Sequence, residues 1–575
     1  MANQLIHFGR LSLLYEDGFI RYVRAGEIEI LRKIYFALRD NNWVTADIVR
    51  SDERISVTWK GFDISYTATN TAAGREVFRW HVKISGNESG EIDFSVEGEA
   101  LADYNRNRAG ICVLHPVRDT RNKPVKVTRP DGTFYDSSFP SIINPHQPFL
   151  DIRKMAWQLI GETWAQLDFE GDVFETEDQR NWSDTSFKTY STPLVIPYPV
   201  MLHPGDRVRQ RVQFRLINGE NFPGSDLAED IQVMIYEGSS MPLPKIGAEF
   251  PVDSKSQAKD IDLLKALGFD HLRIELVLSS SSWRDKLNAA LKEAASVSAK
   301  PFLHLIFSGN ASKEWEEFVG ALGANEARKI PRLAISPVER KADVDALVKL
   351  IVPKARKVFP KAAIGAGFRS YFTELNRNRF DYSQIDFVIY SVNPQVHATD
   401  THTIIENLPA QEDAVKSAQS FAKGKKIHVG PVSLKPRFNA DAPNEDPDVK
   451  SQRFDERQAT PLAAGWALAS VKYLSEAGAD SVTLFETHGP AGYVSGDDIF
   501  PVYNALLSFV KLKAKRVVPS ACNEPLVVTS LVVENENGKR HLILVNHTSQ
   551  KKSVSVGDEL YTLGDHEIKF IQMTK

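Results

Sequence analysis

The sequence contains little cysteine and no long apolar run. Cys112 and Cys522 are the only two cysteines among 575 residues, and their spacing fits neither a disulfide framework nor a zinc ribbon. The first residues show no basic segment followed by an uninterrupted apolar stretch, and no later stretch reaches the ~20 apolar residues of a membrane span. These absences predict a cytoplasmic chain in a reducing compartment, without a membrane partner.

An excess of basic residues and a phosphate-binding loop are missing as well. Lysine and arginine number 70 against 74 acidic residues, so the formal charge of -4 creates no positive field for nucleic acid. No glycine-rich loop of the dinucleotide-binding or phosphate-binding kind follows the first strand of the α/β region described below. We therefore expect neither a nucleic-acid partner nor a Rossmann fold.

The first part of the chain has the pattern of a β domain. Stretches such as ISVTWKGFDISYTAT and RVRQRVQFRLI alternate polar and apolar side chains between glycine or asparagine turns. The pattern predicts a large antiparallel β-sandwich or supersandwich domain over residues 1–240. The two prolines in SSMPLPK, Ser239 to Lys245, stiffen the chain and mark the end of this domain.

After Lys245 the sequence alternates between strands and helices. LLKALGFDHLRIEL and YLSEAGADSVTLFE each contain a helix end, a terminating glycine, an aspartate and a buried strand. Repetition of this unit predicts a (β/α)8 TIM barrel over residues 241–516. Its strands begin near the following residues: Lys245, His271, Pro301, Arg332, Ala363, Asp386, Lys426 and Ser481. Two alternating strands around Asn537-Gly538 predict a small C-terminal β domain over residues 517–575.

Active sites of TIM barrels lie where the strands end, so polar side chains just past each strand are the candidates. The eighth strand, SVTLFETHGPAGY, is followed by Glu486 and His488, and the fifth unit supplies Arg369 and Glu374. We predict catalytic roles for Glu486, Glu374 and His488 and a substrate-binding role for Arg369. Two simpler interpretations remain, in which Glu486 pairs with an arginine and Glu374 lies in a solvated loop.

Further candidates for substrate binding come from the second and sixth units. In HLRIEL, Arg273 and Glu275 face the same way, either as an ion pair inside the barrel or as substrate ligands at its mouth. Asn393 ends the sixth strand, and His397 follows it. The spacing to the next histidine is not that of a known zinc pair, so we expect no metal site. His304, in PFLHLIF, is interpreted as a satisfied core histidine.

The chemistry of these residues favours hydrolysis of a lactone over cleavage of a glycoside. Retaining glycosidases need two carboxylates, but Glu339 after the fourth strand lacks the usual preceding asparagine, and the seventh strand ends without an acid. Opening a lactone needs a base for water, a donor for the oxyanion and an acid for the leaving alcohol, and no cofactor. A glycoside hydrolase and a non-catalytic sugar-binding protein remain the alternatives.

Motifs along the whole chain resemble the D-apionate lactonase family. They are GFIRYVRAGEIEILRKIYFALRDNNW, GICVLHPV, EDQRNWSDTSFKTYSTPL, FTELNRNR, RFDERQATPLAAGWAL and FETHGPAGY. The resemblance implies a bacterial enzyme of apiose catabolism that hydrolyses a small-molecule sugar lactone, D-apionolactone, to D-apionate. It supplies no catalytic set to map onto these residues, and the oligomeric state stays open.

The stretch DQRNWSDTSFKTY, Asp178 to Tyr190, is unusually polar and aromatic for a β domain. We interpret it as a loop in which Trp182 and Lys188 bind substrate at the barrel mouth. Alternatively, the loop forms a pocket of its own with His115, because GICVLHP is similar to the strand that supplies a histidine in mutarotase-like supersandwich domains. A third interpretation is a latch between domains, with Trp182 buried and the charges paired.

Overall fold

The computed structural model describes the chain in two structural units. The described residues are 4–219, 230–251, 261–339, 342–437 and 454–573. The first unit contains residues 4–179 and 185–219, and the second contains all other described residues, including the segment Arg180–Asp184. No helix in these ranges is long and apolar enough to cross a membrane.

The first unit is built from antiparallel strands, as the sequence predicts. Along β7 (Arg75–Asn87), Phe78, Trp80 and Val82 are buried whereas the intervening residues are exposed, which is the alternation of a sheet with one face against the core. The other strands of this unit are β1 (Gln4–Phe8), β2 (Leu11–Glu16), β3 (Phe19–Ala25), β4 (Ile28–Asp40), β5 (Asp47–Thr58), β6 (Gly61–Ala72), β8 (Ile92–Ala100), β9 (Tyr104–Pro116), β10 (Pro124–Thr128), β11 (Phe134–Ser138), β12 (Phe149–Ile152), β13 (Lys154–Ile160), β14 (Thr163–Glu170), β15 (Phe174–Asp178), β16 (Ser186–Tyr190), β17 (Val200–Leu202) and β18 (Arg207–Ile217).

These strands form two nine-stranded sheets. The first has the order β1-β2-β3-β4-β9-β16-β15-β12, with β17 paired to β9, and the second has the order β11-β10-β13-β14-β18-β8-β7-β6-β5. A single short helix, α1 (Val117–Thr120), follows β9 within the described part of this unit. Apolar side chains from both sheets form one core cluster. The predicted sandwich-like β fold of this part is confirmed.

The structure corrects the interpretation of residues 178–190 as a loop. Gln179–Trp182 is a 3-10 turn, but Ser186–Tyr190 is strand β16, paired with both β9 and β15. All five of its side chains are buried. Lys188 therefore lies within a sheet and not in a loop.

The second unit is centred on a closed barrel of eight parallel strands. The predicted barrel is confirmed, and each strand begins at, or one residue from, its predicted start. The strands are β21 (Lys245–Glu249), β22 (His271–Val277), β23 (Lys300–Phe307), β24 (Arg332–Pro337), β25 (Ala363–Gly367), β26 (Phe387–Val392), β27 (Lys426–Val432) and β28 (Ser481–Glu486).

Helices with one apolar face cover the barrel. In α6 (Val344–Val358), for example, the Asp343 carboxylate accepts a hydrogen bond from the Ala346 N–H at 3.1 Å and so caps the first turn. Leu347, Val348 and Ile351 of the same helix are buried. The described helices are α2 (Ile261–Ala266), α3 (Trp283–Ser296), α4 (Ala311–Ala321), α5 (Ala324–Ala327), α6 (Val344–Val358), α7 (Phe372–Arg377), α8 (Thr401–Glu406), α9 (Ala410–Phe421), α10 (Pro461–Glu476) and α11 (Pro501–Lys511).

Strands after the barrel form the β sheets predicted for the C-terminal part. The hairpin at Gly538 joins β33 and β34, as the sequence predicts. These sheets also contain β19 (Ile231–Ile235) and β20 (Met241–Pro242), which precede the barrel. The remaining strands are β29 (Val494–Ser495), β30 (Asp498–Ile499), β31 (Ala514–Val518), β32 (Ser520–Cys522), β33 (Val528–Asn535), β34 (Arg540–Asn546), β35 (Lys552–Val556), β36 (Glu559–Leu563) and β37 (Ile568–Gln572). The division into three domains at residues 240 and 516 stays a prediction.

Candidate active site

A cluster of charged side chains lies at the strand ends of the barrel. Arg273, on β22, donates to the Glu249 carboxylate at 2.6 Å and to Glu275 at 3.3 Å. It also contacts Nδ1 of His304, whose Nε2 lies 2.7 Å from the Ser336 hydroxyl. All of these side chains are buried. Arg273 and Glu275 thus form an ion pair, and the substrate-binding roles assigned to them stay predictions.

Two further arginines reach the same carboxylates from loops after later strands. Arg369 donates to Glu275 at 3.0 Å, and Arg437 lies 3.0 Å from Glu275 and 3.6 Å from Glu249. Arg437 also donates to the backbone carbonyl oxygen of Arg369 at 3.2 Å. We call Arg273, Arg369, Arg437, Glu249 and Glu275 the arginine cluster.

The arginine cluster keeps the Glu275 carboxylate ionised despite its burial. Burial alone would raise the pKa of Glu275, but the guanidinium groups of Arg437, Arg369 and Arg273 hold it well below its usual range. Burial, reinforced by the Arg273 charge, lowers the pKa of the neighbouring His304 well below its usual value. At neutral pH Glu275 is therefore an anion and the His304 imidazole is neutral.

Glu486 ends the eighth strand beside this cluster. It is half-buried and is the ladder partner of Glu249 on the neighbouring first strand. Phe485, just before it, has φ of 54°, a conformation that costs energy for an aromatic residue and is found preferentially at functional sites. Burial lowers the pKa of Arg437, but the carboxylates of Glu275 and Glu249, with a smaller contribution from Glu486, raise it above its usual value. Glu486 thus adds negative charge next to the arginine cluster.

His488 and a lysine lie on the same side of the barrel. The imidazole Nδ1 of His488 is 3.6 Å from the buried Glu293 carboxylate, to which the Thr487 hydroxyl also donates at 2.6 Å. Lys286 is half-buried on α3. Burial lowers its pKa, and the carboxylates of Glu275, Glu249 and Glu486 oppose the shift.

The segment Arg180–Asp184 packs on the loops and helices that follow the fifth and sixth barrel strands. Arg180 forms an ion pair with Asp413 at 3.2 Å, and the Asn376 side chain donates a hydrogen bond to Asn181 at 2.9 Å. The Trp182 ring lies 5.6 Å from the Tyr371 ring and 6.1 Å from the His397 ring, measured between ring centres. Asp184 forms a hydrogen bond of 2.6 Å with His397. Trp182 and His397, both predicted to bind substrate, are therefore in contact.

Two predicted residues near this segment have internal partners. Glu374 is buried and accepts a hydrogen bond from the Ser370 hydroxyl at 2.9 Å. Asn393 is buried as well, and its side-chain oxygen accepts a long bond of 3.3 Å from the Gln395 N–H. The roles assigned to them stay predictions.

Lys188 and His115 lie in the first unit. Lys188 forms an ion pair with Glu177 at 2.9 Å. His115 is buried between Phe139 and Trp157, and its Nε2 lies 2.9 Å from the Thr189 hydroxyl. Burial lowers the pKa of His115 to about 3. Its surroundings are those of a core histidine rather than of an open pocket.

Sequence reasoning missed two members of the arginine cluster. Glu249 is the last residue of the first strand, and Arg437 follows the seventh strand in the stretch SLKPR. Both lie at or just after a strand end, as Glu486 and Arg369 do, but the prediction for the seventh strand concerned acids alone. Across the described residues, no group of three or more histidine, cysteine, aspartate or glutamate side chains could hold a metal ion.

Solved structures resemble the chain only distantly. The GH51 arabinofuranosidase from Xanthomonas axonopodis pv. citri has a TM-score of 0.39 and 11% identity, covering 57% of this chain and 88% of its own. SrfJ from Salmonella typhimurium has a TM-score of 0.41 and 12% identity, covering 63% of this chain and 96% of its own. At such scores neither likeness supports a conclusion.

Sequence comparisons are far more specific. The family profile for "D-apionate lactonase, N-terminal domain" matches residues 1–219, and that for "D-apionate lactonase, TIM barrel domain" matches residues 249–514. A protein of Brucella anthropi named D-apionate lactonase is 29% identical over 574 residues, which cover 95% of this chain and 93% of that protein. The chain therefore belongs to the D-apionate lactonase family, and it is a hydrolase that opens the ester bond of a small-molecule lactone.

Proposed function

We propose that the chain hydrolyses a sugar-derived lactone, D-apionolactone, to D-apionate, and that the reaction takes place at the arginine cluster. The observation that carries the proposal is the set of three guanidinium groups, on Arg273, Arg369 and Arg437, held by two buried carboxylates at the strand ends. Hydrolysis of an ester passes through a tetrahedral oxyanion, which fixed cations stabilise better in a desolvated site than in water.

Glu486 is the base in this proposal. Its carboxylate takes a proton from water while the water oxygen bonds to the carbonyl carbon. Before this step the three arginines face three carboxylates, those of Glu249, Glu275 and Glu486. Protonation makes Glu486 neutral, so the cluster gains net positive charge at the moment when the oxyanion forms. The Arg369 side chain is 21% exposed, the most of the three arginines, so Arg369 is the cation that contacts the substrate.

The carbon–oxygen bond of the ring then breaks. Its electron pair goes to the ring oxygen, which takes up a proton and becomes the hydroxyl group of the product. The acid formed at the carbonyl carbon ionises at neutral pH. These steps use proton transfer and fixed charges, so we expect the rate to be unchanged after dialysis against a chelator.

A parallel substrate panel tests the proposal. Purified protein is incubated with D-apionolactone, other aldonolactones and aryl glycosides, and release of acid and of phenol is followed in the same assay. We expect acid release from the lactones, fastest from D-apionolactone, and no phenol release. Phenol release without acid release would replace the proposal by the glycoside hydrolase alternative, and activity on other lactones alone would reject the D-apionolactone assignment.

A further inference from the structure

A histidine after the sixth barrel strand is held by a carboxylate from the segment Arg180–Asp184. His397 Nδ1 lies 2.6 Å from Asp184 Oδ2. Because a carboxylate only accepts hydrogen bonds, Nδ1 carries the proton of this bond. The tautomer is thereby fixed, and Nε2 becomes the ring nitrogen that exchanges a proton with other molecules. The His397 side chain is 16% exposed, so the ring reaches solvent.

The Asp184 carboxylate is itself fixed in position. Its second oxygen, Oδ1, accepts a hydrogen bond from the Asn407 side chain at 2.9 Å, and the same amide donates to the carbonyl oxygen of Pro394 at 2.9 Å. Both carboxylate oxygens are therefore used, and Asp184 is buried. Because these polar groups have hydrogen-bond partners, the network holds the His397 ring in one orientation.

Two other side chains of the segment also contact the second unit. Arg180 is fully buried and pairs with Asp413, and the edge of the Trp182 ring meets the His397 imidazole at 6.1 Å with an angle of 85° between the planes. A histidine with a carboxylate within hydrogen-bond reach of one ring nitrogen is a pair by which hydrolases orient an imidazole for proton transfer.

We propose that His397 is the catalytic acid that protonates the ring oxygen leaving the lactone, and that Asp184 is the residue that positions it. This inference rests on the proposed function. When the bond between carbonyl carbon and ring oxygen breaks, the ring oxygen takes the proton from Nε2 of the imidazolium. The neutral imidazole then regains a proton from solvent, and Glu486 releases to solvent the proton that it took from water.

The experiment compares two substitutions, each of which removes one polar contact of the segment Arg180–Asp184. Asp184→Asn removes the charged partner of His397, whereas Asp413→Asn removes the charged partner of Arg180 and leaves the Asp184–His397 bond in place. For each full-length variant, kcat and KM are measured with an aldonolactone that the unaltered chain turns over, and folding is checked by thermal unfolding. We expect Asp184→Asn to lower kcat about 100-fold with little change in KM. Asp413→Asn removes one carboxylate from the buried Arg180, so it should lower the temperature of thermal unfolding but change the kcat of the folded protein less than about threefold.

Chemical rescue separates a proton-transfer role from a structural one. His397→Ala should lose about as much kcat as Asp184→Asn, and imidazole added to the buffer should restore part of the activity of His397→Ala alone. Similar losses in the Asp184 and Asp413 variants, or a His397→Ala variant that imidazole does not restore, would overturn the inference while leaving the proposed function intact. A parent chain inactive on every lactone would instead reject the proposed function.

Discussion

At the scale of single residues, two glutamates of the barrel differ in how they are held. Glu374 is 2% exposed and accepts a hydrogen bond from the Ser370 hydroxyl, whereas Glu486 is half-buried beside the arginine cluster. We expect Glu486→Gln to lower kcat by about 100-fold to 10,000-fold, the usual contribution of a general base, with KM little changed. Glu374→Gln should change kcat less than about tenfold. Steady-state kinetics of lactone opening on both variants make the comparison.

The reverse order of effects would assign the base to Glu374. If neither variant lost even tenfold in kcat, no carboxylate of this pair would be the base, and the mechanism in which Glu486 activates water would be wrong.

Arg273 is expected to matter first for stability. Its side chain is 1% exposed and lies between the carboxylates of Glu249 and Glu275, both buried. Replacement by glutamine leaves these carboxylates short of one cation, and breaking a buried pair costs about 3–5 kcal/mol in the free energy of unfolding. Arg284→Gln is the control, since Arg284 is 52% exposed and its partner Glu317 lies 3.9 Å away; such pairs contribute about 1 kcal/mol or less. Urea unfolding of both variants measures the difference.

The strand-end rule predicts Arg369 and Glu486 from sequence alone, because the barrel fold determines which residues face its mouth. The alternation of HLRIEL predicts that Arg273 and Glu275 share one face of the second strand. The strand-end rule does not say how far a side chain extends across the barrel. Arg437 bridges two carboxylates on the first two strands because its side chain is long and its loop runs towards them, and sequence periodicity contains no information on either.

At the scale of elements, the barrel strands are predictable because parallel strands covered on both faces are continuous apolar runs between turns. Strand β16 is buried but is not a continuous apolar run. It is buried on both faces, yet its sequence is SFKTY, since Lys188 pairs with Glu177 and Thr189 lies against His115. Paired polar side chains make a buried strand look like a loop, and long-range pairing cannot be read from local sequence.

The two predicted substrate residues of this stretch should now behave differently. Trp182 contacts His397, whereas Lys188 pairs with Glu177 within the β sandwich. We expect Trp182→Ala to lower kcat about tenfold by loosening the His397 ring. Lys188→Met should lower the stability of the first unit by about 1–3 kcal/mol, because it leaves a largely buried carboxylate without its cation, and should leave kcat unchanged.

Kinetics and thermal unfolding of the two variants test this assignment. A loss of turnover in Lys188→Met at temperatures where the protein is folded would return Lys188 to the site. Unchanged kinetics in Trp182→Ala would leave that side chain with a structural role.

At the scale of the whole molecule, buried histidines make stability depend on pH. Burial lowers the pKa of His115 and of His547 to about 3 and that of His271 to about 4. In the unfolded chain the pKa of a histidine is ~6.5. Between these values the unfolded state binds more protons than the folded state, so stability falls as pH drops below ~6.5 and is constant, as far as these groups are concerned, above it.

Urea unfolding at several pH values between 4 and 8 measures this dependence. His271→Asn should reduce the slope below pH ~6.5, and His81→Gln, at an exposed position of β7, should leave it unchanged. A slope that is the same in both variants would mean that other groups account for the acid sensitivity.

The segment Arg180–Asp184 also bears on how this chain can be divided. A recombinant fragment that begins at residue 230 would contain every barrel strand yet omit five residues that fold with the barrel. It would deprive Asp413 of the Arg180 guanidinium, and Asn407 and His397 of the Asp184 carboxylate. Such a fragment should express poorly and remain inactive even if correctly folded, so gene fission, domain swapping between relatives and directed evolution of the barrel should all carry the segment along.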